Sequence, residues 1–278
     1  MSKVSSGLYI VATPIGNAND ITLRALEILE KCDTILCEDT RVTAKLLTLH
    51  GISKKKCLAY HEHNAEKMRP KVIEKIEAGE IVALVSDAGT PLINDPGYKL
   101  ARECNERGLP YTAAPGASSV ITALVLSGLP SDRFLYLGFL PNKQTARQKA
   151  IEEIKDIKAT LVILESPKRT RACLEDLHFV LGNREASVTR ELTKKFEEVN
   201  RAPLEELCQL YAENDPRGEV VLVVAPPSET VLEYSEEDLE RLLKDALGRL
   251  SVRDAVSEVV EMTGFKKKQV YDLAITLK

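Results

Sequence analysis

The chain has no tryptophan, and aromatic residues make up only 5% of its 278. Proteins that grip unpaired nucleic acid by stacking its bases rely on aromatic rings, so any RNA contact here has to rest mainly on backbone and shape. Long apolar runs are also missing. No segment approaches the roughly 18 residues of a membrane span, and the longest candidate, residues 120–129, is broken by Ser127 and Gly128. No secretory leader is read either, because Lys3 is followed by a strand-like run and not by a cleavage site. The six cysteines are scattered and none forms a Cys-x-x-Cys pair, which fits reduced thiols in a cytoplasm and not a disulfide frame or a zinc site. Finally, no P-loop is present and the turn after the first strand lacks Gly-x-Gly-x-x-Gly. Pro14 occupies that turn and offers no N–H to a phosphate. A pyrophosphate-bearing cofactor is thereby disfavoured, and a small cofactor without phosphate stays open.

What is present is the composition of a soluble globular protein, 44% hydrophobic and 29% charged. The length exceeds one modal domain and predicts two. A net charge of −4 points to no particular partner. Local basic clusters do occur, at Lys54-Lys55-Lys56, Lys168-Arg169-Thr170-Arg171, Lys194-Lys195 and Lys266-Lys267-Lys268. Taken singly, each suits a solvated face better than an anion site.

Strand-like and helix-like segments alternate through the first third. Strands are predicted at 8–12, 34–37, 58–60 and 81–85, and helices at 23–31, around 44–47, at 66–78 and at 97–107. This pattern predicts a mostly parallel sheet covered by helices on both faces. Asp95 is read as the cap of a helix beginning at Pro96. An apolar helix at 120–126 and the Gly128-Leu129-Pro130 boundary mark a hinge between 115 and 130. The second half repeats the style, with strands at 134–139, 160–164 and 219–225, a polar helix at 142–158, and a segment at 196–200 that suits an antiparallel strand. The tail reads as three short helices at 236–247, 252–262 and 267–277, with Ser235 and Ser251 as N-caps and Thr263-Gly264 as a tight stop. This is a helix-turn-helix-like arrangement, of a kind that more often serves packing or solubility than nucleic-acid contact. The boundaries predicted are 1–117, 118–230 and 231–278.

Four polar clusters fall at strand carboxyl ends: Thr13-Pro14-Ile15-Gly16-Asn17, Glu38-Asp39-Thr40-Arg41, His61-Glu62-His63-Asn64, and Ser86-Asp87-Ala88-Gly89-Thr90-Pro91-Leu92-Ile93-Asn94-Asp95-Pro96-Gly97. Parallel topology brings such ends to one edge, where ligands bind in open α/β sheets. His61 and His63 would share a face on a strand, but no third metal ligand suggests itself.

These four clusters, with Asp20-Ile21-Thr22-Leu23-Arg24-Ala25, Pro115-Gly116-Ala117-Ser118-Ser119, Gly138-Phe139-Leu140-Pro141 and Glu165-Ser166-Pro167-Lys168-Arg169, run in order through the chain. As a set they resemble the tetrapyrrole-methylase superfamily of S-adenosylmethionine-dependent methyltransferases. Within it they resemble the small-subunit ribosomal RNA (cytidine-2′-O)-methyltransferase I family. The resemblance implies two α/β domains with the methyl donor in the cleft between them, a small C-terminal helical module, and a homodimer. By position it implies Pro14, Asp87, Ala88, Gly89, Thr90, Ser118 and Ser119 as donor contacts from the first domain and hinge. From the second domain it implies Leu140, Ser166 and Pro167, with Glu191, Leu192 and Pro226 as further candidates. Superfamily members that methylate tetrapyrroles carry Gly-Asp-Pro where this chain has Asp87-Ala88-Gly89-Thr90-Pro91, a departure that favours the RNA branch.

The reaction so implied is 2′-O-methylation of a decoding-centre cytidine in 16S ribosomal RNA, with the RNA presented within the small ribosomal subunit. A ribose hydroxyl needs somewhere to send its proton, and Glu38, Asp39 and His61 are the candidate bases. Arg41, Lys168, Arg169 and Arg190 are candidates for holding flanking phosphates, with Lys266, Lys267 and Lys268 extending the footprint. An internal salt bridge is the alternative role for Glu38 and Arg41. Two other functions stay open: a methylase of a tetrapyrrole or other small molecule, and a non-catalytic RNA- or ribosome-binding factor.

Overall fold

A computed structural model describes residues 4–213, 215–228 and 234–277. They fall into two compact units, Met1–Pro227 and Ser228–Lys278.

The larger unit opens with β1 (Gly7–Val11), α1 (Leu23–Lys31), β2 (Thr34–Cys37), α2 (Thr40–Leu49), β3 (Lys56–Ala59), α3 (Ala65–Glu77), β4 (Ile81–Val85), α4 (Tyr98–Glu106) and β5 (Tyr111–Ala114). The five strands form one sheet in the order β3-β2-β4-β1-β5, and every pairing is parallel. Helices cover both faces, so β1 and β4, and β2 after Thr34, are apolar without a polar alternate. Period two decides only which layer each residue joins. Tyr9 and Val11 pack with Ala25, Ile28 and Leu29 of α1; Leu8 packs with Val72, Ile73 and Ile76 of α3 and Leu100 of α4. The first-half elements thus arise as the alternation predicts. One detail differs: α4 starts at Tyr98, and its N-cap is Gly97 at φ 134°, with no side-chain cap bond. Asp95 therefore does not cap this helix. The backbone turns sharply at Gly97, and Asp95 lies among Glu38, Ser86 and Asp87.

α5 (Ser119–Ser127) crosses to the second sheet, built from β6 (Phe134–Phe139), α6 (Gln144–Glu152), β7 (Thr160–Glu165), α7 (Thr170–Leu181), β8 (Glu185–Arg190), β9 (Glu198–Pro203), α8 (Leu204–Leu210) and β10 (Val220–Val224). Its order is β6-β7-β10-β8-β9. Only β6 and β7 run parallel; the other pairs are antiparallel. The second half therefore does not repeat the parallel style of the first. The short link from β8 to β9 permits only an antiparallel return. The polar helix expected over 142–158 stops at Glu152, after which the chain tightens into three-residue turns, Ile154 N–H to Ile151 O and Ile157 N–H to Ile154 O. The two sheets share a core: Ile15 from the first half packs with Val120 and Leu124 of α5 and with Val162, Leu192 and Val221.

The smaller unit holds α9 (Glu236–Leu247), α10 (Val252–Thr263) and α11 (Lys267–Thr276) around Leu239, Leu243, Val256, Val259 and Val270. Ser235 and Asp238 form a full capping box, and Ser251 caps α10. Gly264, at φ 71°, makes the left-handed stop. Among the described residues no helix is long and apolar enough to cross a membrane.

Candidate active site

The parallel first sheet delivers its polar loops to one edge, and hydrogen bonds lock them together there. Thr13 and Gly89 exchange both backbone bonds, at 2.9 and 3.1 Å. The Thr13 hydroxyl donates to Ser86 O at 3.1 Å, and the Thr90 hydroxyl donates to Ala117 O at 3.1 Å. Gly89, at φ 81°, allows the loop to turn back onto Thr13. The Asp39 N–H donates to Asp87 Oδ1 at 3.1 Å, tying the β2 turn to the β4 loop. Pro14, Asp87 and Ala88 then line a cavity of about 280 Å³, together with Leu46 of α2 and Lys194 and Glu219 of the second half. Gly16 is required for this approach, because a side chain there would collide with Leu192 O and Thr193.

The three candidate bases and Arg41 separate into two sets. Asp39 and Arg41 form a closed pair: Arg41 Nη2 meets Asp39 Oδ2 at 2.6 Å, and Asp39 Oδ1 accepts the Arg41 N–H at 2.8 Å as the cap of α2. The Arg41 guanidinium holds the Asp39 carboxyl down to about 2. The salt bridge at this edge therefore joins Arg41 to Asp39 and leaves Glu38 outside it.

Glu38 and His61 line a second cavity, of about 430 Å³, with His63, Asn94 and Asp95. Burial, then the neighbouring Asp95 and Asp87 carboxylates, push the Glu38 carboxyl up to about 7. The Asp95 carboxyl is raised as well, chiefly by burial. His61 and His63 lie beyond the end of β3, in the turn into α3, so they do not share a strand face; their rings meet edge-on at 6.0 Å. Asn94 and Asp95 belong to this wall and were not picked out as site residues. Their side chains reach Glu38 and Tyr136 only through tertiary folding. The two bulky left-handed positions that aim the loop, Leu92 at φ 74° and Asn94 at φ 64°, have no sequence signature of their own.

The remaining predicted donor residues form two groups. Ser118 is the N-cap of α5 and Ser119 its first residue. Leu140, Ser166 and Pro167 sit at the adjacent carboxyl ends of β6 and β7, where Arg169 Nη2 donates to Leu140 O at 2.6 Å and Ser166 N–H donates to Glu165 Oε1 at 2.7 Å. Leu192 is buried in the shared core, and Glu191 is paired with Lys194 at 2.9 Å; Pro226 is partly buried just after β10. The basic candidates also differ among themselves. Lys168 is exposed. Arg169 is turned inward, and Arg190 is paired with Glu198. Lys266, Lys267 and Lys268 are exposed at the start of α11 in the smaller unit.

The model of the Tetrapyrrole (Corrin/Porphyrin) Methylases matches residues 7–208, and that of the RsmI C-terminal HTH domain matches residues 233–278. A protein of Mesorhizobium japonicum named Ribosomal RNA small subunit methyltransferase I is 45% identical over 98% of this chain and 92% of its own length. Its namesake in Erythrobacter litoralis is 47% identical over 99% of this chain and 96% of its own. Among solved structures, uroporphyrin-III C-methyltransferase of Thermus thermophilus, complexed with S-adenosylhomocysteine, superposes with a TM-score of 0.56 at 19% identity, over 79% of this chain and 97% of that one. The chain belongs to the ribosomal RNA small subunit methyltransferase I family, on the tetrapyrrole methylase fold.

Proposed function

We propose that this protein methylates the ribose 2′-hydroxyl of a decoding-centre cytidine in 16S ribosomal RNA, using S-adenosylmethionine, in the cytoplasm and as a homodimer. The single observation that supports it most is the Asp39 N–H to Asp87 Oδ1 bond. It fastens the turn holding Glu38, a carboxyl poised near neutral pH, directly to the loop proposed for the donor. The names of the full-length relatives support the ribosomal substrate.

The residues present suit the donor. The cavity sets the Asp87 and Glu219 carboxylates beside Lys45 and Lys194, a lining of both signs that suits a donor carrying both positive groups and a carboxylate, and the Pro14 turn withholds the N–H that a phosphate would seek. When bound, S-adenosylmethionine supplies a methyl group on a good leaving group. Pro14, Asp87, Ala88, Gly89 and Thr90, with Ser118, Ser119, Leu140, Ser166 and Pro167, orient that methyl for in-line attack, so positioning accounts for much of the acceleration. With the donor bound, Glu38 would hold the acceptor 2′-hydroxyl and take its proton. Its raised pKa lets it take that proton near pH 7, whereas Asp39, clamped by Arg41, stays ionised and weakly basic. Lys168 offers a free charge to phosphates flanking the target.

The test is tritiated methyl transfer from S-adenosylmethionine to small ribosomal subunits that lack this modification, followed by nucleoside analysis. Labelled 2′-O-methylcytidine is the expected product. Label on another nucleoside, or on no RNA while a small acceptor is labelled, overturns the proposal.

A further inference from the structure

We propose that Arg169 and Glu165 are positioning residues that hold the donor-facing backbone of the second sheet, and that Arg169 is not a contact for RNA phosphate. This inference rests on the reading that Leu140, Ser166 and Pro167 face the donor.

In sequence, Lys168-Arg169 is a basic pair. In the structure the two side chains part company. Lys168 is exposed and makes no ion pair among the described residues. Arg169 lies in the 3₁₀ turn after β7, and its guanidinium points back over the sheet. Its Nη2 donates to Leu140 O at 2.6 Å and to Glu165 Oε2 at 3.2 Å, and its Nη1 donates to Asn142 Oδ1; its buried Nε lies 3.2 Å from Glu165 Oε1, an ion-pair contact without a hydrogen bond. Glu165 has a fully buried side chain, 0% exposed, and its Oε1 also accepts the Ser166 N–H. One guanidinium thus spans the parallel ends of β6 and β7 and fixes both Leu140 and Ser166.

The strut continues inward. Asn142 O accepts from Arg147 Nη1 at 3.3 Å, and Arg147 is itself buried against Asp176. A buried carboxylate such as Glu165 is tolerable only when paired and hydrogen-bonded, so Arg169 is committed to it. A planar fork of donors can bind a carboxylate, a carbonyl and an amide oxygen together, which a lysine ammonium on a flexible stem does not reproduce. An arginine already engaged on these partners has little left to offer a phosphate.

The experiment uses full-length protein and compares Arg169→Lys and Glu165→Gln with Lys168→Ala. Calorimetry with S-adenosylhomocysteine, without RNA, reads the donor site. Steady-state kinetics separate the KM for the donor from the KM for RNA, and the salt dependence of RNA binding counts phosphate contacts. Arg169→Lys is expected to weaken S-adenosylhomocysteine binding and raise the donor KM about tenfold, leaving the salt slope unchanged. Lys168→Ala is expected to do the reverse, reducing the slope by about 0.7 for one contact to single-stranded RNA. Should Arg169→Lys fail to fold, Glu165→Gln still accepts from Ser166 and reads the same donor loss. Unchanged S-adenosylhomocysteine affinity in the folded variants overturns the inference, as does a reduced salt slope in Arg169→Lys. Failure of the native protein to bind S-adenosylhomocysteine refutes instead the underlying donor reading.

Discussion

The hydroxyl of Tyr136, on the second sheet, donates to Asn94 Oδ1 at 2.6 Å, on a loop of the first. Gly138, two residues along the same strand and at φ 61°, leaves the room: a Cβ there would stand 3.0 Å from Asn94 Oδ1. Burial and then Asp95 raise the Tyr136 hydroxyl to about 12, so it is a donor at every working pH. The contact pins the loop that forms the wall beside Glu38.

Tyr136→Phe therefore removes one net hydrogen bond and is expected to cost about 1 kcal/mol in urea unfolding. Gly138→Ala is expected to cost more, because it adds left-handed strain to a collision with Asn94. Two variants as stable as the native chain would show that the contact does not form in solution.

Glu38 sets the pH dependence. A base must be ionised, so turnover on RNA is expected to rise with pH and level off above a midpoint near 7. Glu38→Gln is expected to lower kcat by about 10²–10⁴-fold while S-adenosylhomocysteine still binds. Asp95→Asn removes one of the neighbouring carboxylates and is expected to shift the midpoint downward without restoring it to 4.5, because burial remains the largest cause. Stability follows the opposite sign. A raised carboxyl pKa means that the folded state binds more protons than the unfolded chain between about 4.5 and 7. Glu38 therefore makes the fold less stable as pH rises through that window, and Glu38→Gln should abolish its part of that slope in melts across pH 4–8.

Arg147 and Asp176, 4% and 2% exposed, meet at 2.5 Å, and Gln144 and Gln148 also donate to the carboxylate. Asp176→Ala strands a buried guanidinium and is expected to cost about 3–5 kcal/mol; replacing both residues by apolar ones of similar volume should cost much less. Urea midpoints for the single and double variants check this, and equal losses would contradict it.

Lys266, Lys267 and Lys268 stand at the positive end of α11, where the helix dipole disfavours cations. Changing all three to alanine is expected to raise the melting temperature of the C-terminal helices while weakening RNA binding and flattening its salt dependence. A variant that melts lower and binds RNA normally would give these lysines a structural role.

Much of the first half was legible because strands buried on both faces appear as unbroken apolar runs, as at Ile81–Val85. The caps Ser235 and Ser251 were legible because a serine and an aspartate three residues on are a local signal. Strand direction in the second sheet was legible only at β9, where the 196–200 segment suited an antiparallel strand, and not at Val220–Val224, which is buried whichever way it runs. The acid–base residues were only half visible. Glu38 stood out at a strand end, but its neighbour Asp95 resembled a helix cap, and what raises Glu38 is burial and then a carboxylate 57 positions away in sequence, both products of tertiary folding. Arg169 failed for the converse reason: charge is visible in sequence, and the direction of a guanidinium is not.

The strand order β3-β2-β4-β1-β5 has a consequence for synthesis. β1 emerges well before either neighbour, since its partner β4 follows about 70 residues later and β5 later still. At about 5–20 residues per second, Leu8-Tyr9-Ile10-Val11 waits for several seconds as an unpaired apolar strand. Such a strand is a template for pairing with other chains. Packing of the Leu23–Lys31 helix against Tyr9 and Val11 is the earliest shield the chain can give β1 before the first sheet closes.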